Sequence, residues 1–370
     1  MHLTRRLCAP LSHFTRMKSL GLFAALTVLA AHSAALRASD VPAVALSSGG
    51  SMPLVGLGTW QVTGDRELEQ ALDAALEAGY RHIDTATIYN NEHLIGKVLK
   101  RWLSEGKVKR EDLFISTKLP VYAMRAADVP DLLNQSLSRL QLDYVDMYLI
   151  HMPFGVNRES YNGVSIVAIG PNDTDPSTDH RAIWDAMVAE KEAGRARALG
   201  VSNFNESQIE RLVKHSAVPP ANLQVELHLF HQQKPLVEFC KKNSITVTAF
   251  SPIGSPGSKW LIKLSGKELP DLLNVPEVLE IAKKHRKTAA QVLLRHILQK
   301  GIAVIPKSST PARVRQNIDI LDFSLDDEDV ASLDSLDKGI DGKLFIMKNI
   351  GGSVNHPEYP WTKLQNEATS

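Results

Sequence analysis

The chain has 370 residues, 44% hydrophobic and 22% charged; these are ordinary values for a soluble globular protein and exclude disorder and collagen-like repeats. Forty-two Lys and Arg against forty-one Asp and Glu leave a net charge of +1, which argues against nucleic acid as the main partner, because phosphate binding needs a basic face. Two cysteines exclude a disulfide scaffold and a cysteine-based structural zinc site.

Residues 1–18 carry Arg5, Arg6, Arg16 and Lys18 and no acidic residue. Leu20 to Ala31 is an apolar run, and Ser33, Ala34 and Ala35 follow it. A basic start, a short apolar centre and a small-residue exit predict a secretory signal peptide within a leader of residues 1–38. The apolar run is shorter than the ~20 residues a membrane span needs, so no stable membrane insertion is expected once the leader is removed. An uncleaved anchor and a mitochondrial presequence are the other readings of this segment. The chain is expected to be secreted or to enter the ER lumen if the signal is used, and to be cytoplasmic otherwise. Removing the leader removes Cys8 and leaves Cys240, which reads as a small buried hydrophobe. Of three Asn-x-Ser/Thr triplets, at Asn134, Asn172 and Asn205, Asn172 is the expected glycan site in a secreted chain, because it lies in a Gly-, Pro- and Asp-rich stretch.

From residue 39 onward the sequence predicts one domain. Residues 42–54 read as a hairpin turning at Ser48-Gly49-Gly50. Short apolar runs then recur at Leu54–Leu57, Tyr80–Asp84, Leu113–Thr117, Tyr144–Ile150, Arg197–Val201, Leu223–Val225, Ile245–Phe250 and Ile302–Ile305. Helical patterns separate or follow them at 66–78, 91–105, 128–141, 180–194, 206–215, 233–243, 275–285 and 311–320. Gly79, Gly106, Gly194 and Gly301 sit where helices should stop. Buried strands alternating with helices indicate parallel βα units, and eight of each fit a closed (β/α)₈ barrel better than an open sheet. Long loops at 152–179 and 251–274 follow the fourth and seventh strands. They belong to the C-terminal face, where active sites of such barrels lie.

Polar side chains end several of these strands: Asp84 and then Tyr89 after the second, Lys118 on the third, His151 on the fourth, Ser202 and Asn203 on the fifth, and Gln224 on the sixth. Singly each is weak, but the ends of the strands of one barrel point into one bowl. A buried Lys beside a Tyr hydroxyl is expected to favour the phenolate and lower the Tyr pKa. An Asp paired with that Lys keeps it charged. Such a Tyr can protonate a carbonyl oxygen while hydride arrives at the carbon, His151 can orient the carbonyl, and no metal is needed.

The stretches GLGTWQ (56–61), HIDTATIYNNE (82–92), STKLP (116–120), YLIHMP (148–153), GVSNFN (200–205), QVELH (224–228), AFSPIGSPG (249–257) and PKSSTPARVRQN (306–317) resemble, in order, those of the aldo-keto reductases. With the C-terminal segment 340–362 the resemblance spans residues 42–362. It implies a (β/α)₈ TIM barrel with an N-terminal hairpin and a C-terminal extension, a monomer, bound NADPH or NADP⁺, and reduction of aldehydes and ketones, sugars among them, to alcohols. It places Asp84, Tyr89, Lys118 and His151 on the family's catalytic tetrad, with Tyr89 as proton donor. Gly58, Thr59, Trp60 and Asp84 fall on the cofactor side. Ser202, Asn203 and Gln224 match groups that hold the nicotinamide carboxamide, and Phe250 takes the place of a Tyr stacked on that ring. Ser251, Ile253 and Ser255 match a strap around the pyrophosphate. Lys307, Ser308, Ser309, Arg313, Gln316 and Asn317 match the adenosine end, where a 2′-phosphate dianion wants two cations. Trp60, Tyr89, His151 and Met152 fall in the substrate pocket, Met152 standing where many relatives have Trp. HPEYPW (356–361) matches the loop covering the pocket, with Tyr359 or Trp361 either touching substrate or packing on the barrel wall.

Gly56-x-Gly58 lacks the third glycine of a dinucleotide fingerprint, since Gln61 stands there. The acidic run Asp326 to Asp329 reads as a solvated helix start. The rival reading is a catalytically idle barrel that binds nucleotide as a binding or sensing protein.

Overall fold

The structure, a computed structural model, describes residues 40–62, 64–161, 173–264, 266–268, 270–347 and 352–361. The leader, Asn172 and the tail after Trp361 lie outside the described residues. Among the described residues no helix is long and apolar enough to cross a membrane.

Strands β1 (Ala43–Ala45) and β2 (Ser51–Pro53) pair antiparallel. Gly49 and Gly50 make the turn at φ 90° and 77°, backbone values that glycine adopts without strain. Met52 of β2 is buried, its sulfur under the side chains of Asn222 and Thr248, so the hairpin plugs the N-terminal end of the barrel.

The eight expected barrel strands all form: β3 (Gly56–Gly58), β4 (His82–Asp84), β5 (Phe114–Leu119) and β6 (Val145–Ile150), then, after a short antiparallel ribbon of β7 (Gly155–Val156) and β8 (Thr174–Asp175), β9 (Ala196–Ser202), β10 (Asn222–Glu226), β11 (Thr246–Phe250) and β12 (Ala303–Val304). Each barrel strand pairs parallel with the next. Parallel bridges from Val55 to Val304 and from Gly58 to Lys307 join the first strand to the last and close the ring. Every residue of β5 and β6 is buried, as strands covered on both faces require.

Helices α1 (Asp65–Glu77), α2 (Glu92–Ser104), α3 (Val129–Leu140), α4 (His180–Glu192), α5 (Glu206–His215) and α6 (Lys234–Lys242) cover the outside. Gly79, Gly106 and Gly194 follow α1, α2 and α4 at φ 97°, 66° and 78°, the left-handed position at which helices stop. Between β11 and β12 come α7 (Lys259–Leu264), α8 (Pro276–His285) and α9 (Ala289–Leu298). The sequence pattern predicts only α8 among these. The helix that leads into β12 is α9, opened by a reciprocal cap between Thr288 and Gln291. Most of its side chains, from Gln291 to Leu298, are buried, so it lacks the polar face that reveals a surface helix. Helices α10 (Pro311–Ile318) and α11 (Asp327–Asp334) complete the chain of helices. Asp326 caps α11 by accepting from the Asp329 amide at 2.9 Å, so the acidic run is a helix start, as its composition suggests.

The two ends of the barrel differ in chemistry. At the N-terminal end the Tyr144 ring lies between the guanidinium groups of Arg110 and Arg197, each 3.8 Å from its centre. Asp146 pairs with both, at 2.8 Å and 3.7 Å. These charges satisfy one another. At the opposite end the strand-end groups converge, and the arm formed by residues 339–347 and 352–361 crosses over them.

Candidate active site

The site is built on a buried ion pair. Lys118 on β5 is fully buried. Its ammonium donates to Asp84 Oδ1 of β4 at 2.7 Å and to the Thr85 carbonyl at 2.8 Å. Asp84 Oδ2 accepts from Ser116 Oγ at 2.7 Å and from Gln224 Nε2 of β10 at 2.8 Å. Ser116 and Lys118 share one face of β5 because strand side chains alternate, and Ser116 lies opposite Asp84 in register. Burial lowers the Lys118 pKa, and the Asp84 carboxylate pushes it back up. An ammonium has three donors; two are committed, and one remains.

Tyr89 ends a short 3₁₀ turn, Thr87–Tyr89, after β4. The Lys118 ammonium lies 5.1 Å from its ring centre, and the His151 ring meets it edge-on at 5.7 Å. The expectation of a lowered Tyr89 pKa is overturned: burial raises it well above the usual phenol value, and the Asp84 carboxylate raises it further. The proton is therefore held on Tyr89. His151 shifts the other way. Burial and the Lys118 charge hold its pKa well below the usual imidazole value, so the ring is neutral. Its Nδ1 is buried without a partner.

Side chains around this centre fix one another's orientation. Thr59 donates through both N and Oγ1 to the Asp84 carbonyl, at 3.1 and 2.9 Å. Asn91 donates to the carbonyls of Thr59 and Val62, at 2.9 and 3.3 Å, and so holds the turn carrying Trp60. Gln224 donates from Nε2 to Asp84 Oδ2, which leaves Oε1 as an acceptor. Asn203, at a left-handed φ of 65°, donates from Nδ2 to the His151 carbonyl at 3.0 Å, to Ser202 Oγ at 3.1 Å and to Met152 Sδ at 3.2 Å, which leaves Oδ1. A Ser hydroxyl and two amide oxygens so disposed match the donors and acceptors of a primary carboxamide. Met152 follows His151 directly and packs under the C-terminal arm. It is buried with Val121, Phe154, Val156 and Tyr359 and backs Asn203.

The segment after β11 forms a curled strap. Ser251, Gly254 and Ser255 take left-handed φ values of 53°, 78° and 50°, the Ser251 and Ser255 hydroxyls meet at 2.6 Å, and Ser258 Oγ reaches across to Gln61 Oε1 at 2.9 Å. Ile253 packs between two core clusters. Beyond β12, Lys307 and Arg313 pair with no carboxylate among the described residues. Burial lowers the Lys307 pKa, Glu67 opposes that, and Arg313 lowers it further. Ser308 Oγ accepts from the Thr310 amide at 3.1 Å, and Arg313 donates to Thr310 Oγ1 at 2.7 Å. Thr310 caps α10 with no side-chain bond, so the positive helix end stays open beside two cations, a setting suited to phosphate. Ser309 is half-buried beside it, Gln316 is exposed on α10 and Asn317 is buried. The donor set thus fits a phosphorylated dinucleotide.

Aromatic rings gather beneath the C-terminal arm. Phe345 of the C-terminal arm meets Trp60 edge-on at 5.6 Å and Phe250 at 6.1 Å. Tyr359 packs on the wall, its hydroxyl donating to the Ile346 carbonyl at 2.6 Å. Trp361 meets Tyr359 edge-on and lies under the Lys343 ammonium. Ser116, Asn91, Glu226, Lys343 and Phe345 are absent from the residues that the sequence patterns single out. Two carry a usable signal: Ser116 precedes Lys118 by two, and Glu226 follows Gln224 by two, each on the face of a residue already marked.

The model of the aldo/keto reductase family matches residues 54–338. Aldo-keto reductase family 1 member A1-A of Danio rerio is 39% identical over 328 residues, 86% of this chain and 98% of its own. Family 4 member C11 of Arabidopsis thaliana is 42% identical over 295 residues, 79% of this chain and 88% of its own. Among solved structures, the aldose reductase from Schistosoma japonicum superposes with a TM-score of 0.76 at 35% identity, over 87% of this chain and 99% of that one. A Bombyx mori aldo-keto reductase in complex with NADP gives 0.75 at 34%, over 88% and 100%.

Asp84→Asn should destabilise the fold by about 3–5 kcal/mol, because it strands a buried ammonium. Adding Lys118→Met should restore most of that loss in urea unfolding. A double variant as unstable as the single one would mean that the pair does not carry the buried charge described.

Proposed function

The chain belongs to the aldo/keto reductase family, and on that premise we propose which of its residues carry out the family's reaction, the NADPH-dependent reduction of aldehydes and ketones to alcohols. The observation that carries the reading is the meeting of Tyr89, His151 and the Lys118–Asp84 pair at one end of the barrel. When bound, NADPH supplies the hydride that ends on the carbonyl carbon. Everything else falls to the protein.

Tyr89 gives its proton to the carbonyl oxygen. Its high ground-state proton affinity keeps the donor loaded. The cost of the forming phenolate falls where Lys118 is fixed and charged, with one N–H uncommitted, so the ammonium acts mainly on the transition state. Asp84 keeps Lys118 charged and in place. His151, neutral, donates to the carbonyl oxygen and orients it; a neutral imidazole is a hydrogen-bond donor here rather than the acid. Lys118 and Asp84 are buried, and exclusion of water strengthens what they contribute.

Ser202, Asn203 and Gln224 would hold the carboxamide of the cofactor, Phe250 would face its ring, and Gly58, Thr59 and Trp60 would border it. Ser251, Ile253 and Ser255 would border the pyrophosphate. Lys307 and Arg313 would take the 2′-phosphate, with Ser308, Ser309, Gln316 and Asn317 around the adenosine. The rival reading of an idle nucleotide-binding barrel gains no support, since all four tetrad groups are present and mutually oriented. We also propose that the chain works as a monomer, because every group named comes from one barrel, and that residues 1–38 direct it to the secretory route, on their three-part pattern.

Tyr89→Phe should lower kcat by ~10²–10⁴-fold, the span of a general acid, with the Kd for NADPH nearly unchanged; NADPH oxidation with an aldehyde and a fluorescence titration measure the two. Wild-type kcat in this variant would remove Tyr89 from the role of proton donor. Arg313→Ala should weaken NADPH by roughly 10–100-fold, the value of a hydrogen bond to a charged group, and weaken NADH little. Equal weakening of both would move the 2′-phosphate elsewhere.

A further inference from the structure

Two residues of β10 point to the same face, Gln224 and Glu226. Gln224 reaches the catalytic carboxylate. Glu226 touches nothing in the tetrad, yet it is fully buried and carries four donors. Oε2 accepts from Lys343 Nζ at 2.9 Å and from the Phe345 amide at 3.0 Å; Oε1 accepts from the Leu344 amide at 2.6 Å and from His228 Nε2 at 3.1 Å. Three consecutive residues of the C-terminal arm hang from this one carboxylate. Burial alone would raise its pKa, but the Lys343 charge and the His228 bond outweigh burial and hold it far below the usual carboxylate value.

This anchor sets the position of an aromatic ring. The Phe345 amide is bound to Glu226, and the Phe345 ring meets Trp60 and Phe250. Phe250 is also the residue opposite Glu226 in the β10–β11 register. The neighbouring turn is equally tight: the Gly342 Cα lies so close to the Phe230 carbonyl that a Cβ there would fall 1.8 Å from its oxygen, which sets the path of the chain into Lys343. A buried ion pair contributes little net stability compared with apolar packing. Its value here is positional.

We propose that Glu226 is a positioning residue for substrate recognition: by suspending residues 343–345 from the end of β10, it holds the Phe345 ring as the wall that selects carbonyl compounds with flat apolar bodies over small hydroxylated ones. The inference rests on the reductase reading above. Trp60 and Phe345, in edge-on contact with each other, favour another ring in an offset or edge-on arrangement. A hydroxyl pressed against the same surface loses its water and gains no partner.

The test uses the full chain with NADPH and compares kcat and KM for benzaldehyde and glyceraldehyde in the wild type, Glu226→Gln and Phe345→Ala. The ratio of kcat/KM for the two aldehydes cancels their intrinsic reactivities between variants. Both substitutions should lower the benzaldehyde preference by about 10-fold, the scale of one lost apolar pocket contact, through a higher KM for benzaldehyde and with the Kd for NADPH unchanged. If Glu226→Gln fails to fold, Phe345→Ala, which leaves the ion pair intact, decides alone. A preference that is unchanged in Phe345→Ala, or a Glu226→Gln variant that loses both substrates in proportion to its thermal stability, overturns the proposal. A wild type that turns over neither aldehyde defeats the reductase reading itself, and the inference with it.

Discussion

A lysine ammonium without access to water must have a carboxylate against it, and the arrangement of this barrel's upper end stems from that need. Lys118 and Asp84 sit on adjacent strands, 2.7 Å apart. Asp84 then needs donors for its second oxygen, and Ser116 and Gln224 supply them from opposite sides. Gln224 is thereby turned so that its amide oxygen is free, and Thr59 is drawn to the Asp84 backbone. One pair of charges thus orients groups on four strands or strand ends. Had the bowl been solvated, none of these side chains would have required a fixed rotamer, because water would have satisfied them at little cost.

The same logic recurs a short distance away. Glu226, like Asp84, is a buried carboxylate paired with a buried lysine, and β10 links the two through Gln224 and Glu226. One pair sets the proton-transfer groups; the other sets the aromatic wall. The far end of the arm is fixed separately, with Glu358 held by Arg211 and Gln208 and His356 bonded to the Asp175 carbonyl. Chemistry and recognition are therefore supported by distinct buried charges on one scaffold.

The barrel and the meeting of Asp84, Tyr89, Lys118 and His151 at one end of it were legible in the sequence because both depend on local pattern plus topology. Apolar runs alternate with helices, and strand ends of one barrel converge wherever their residues fall. Three things were not legible. Helix α9 is buried nearly all round, so it shows no polar face to read. The proton affinity of Tyr89 is raised by burial and by the Asp84 carboxylate, and neither is written in the spacing of residues. The Glu226–Lys343 pair joins residues 117 positions apart, and no short-range signal connects them.

In the proposed reaction a buried, carboxylate-held ammonium makes an otherwise reluctant tyrosine an effective acid. The most direct measurement is a single-turnover rate for carbonyl reduction by NADPH-loaded Lys118→Met beside the wild type. The account predicts a chemical step slower by at least ~10²-fold, the usual cost of removing one preorganised stabilising group, with the Kd for NADPH unchanged. A step at the wild-type rate without Lys118 would contradict it.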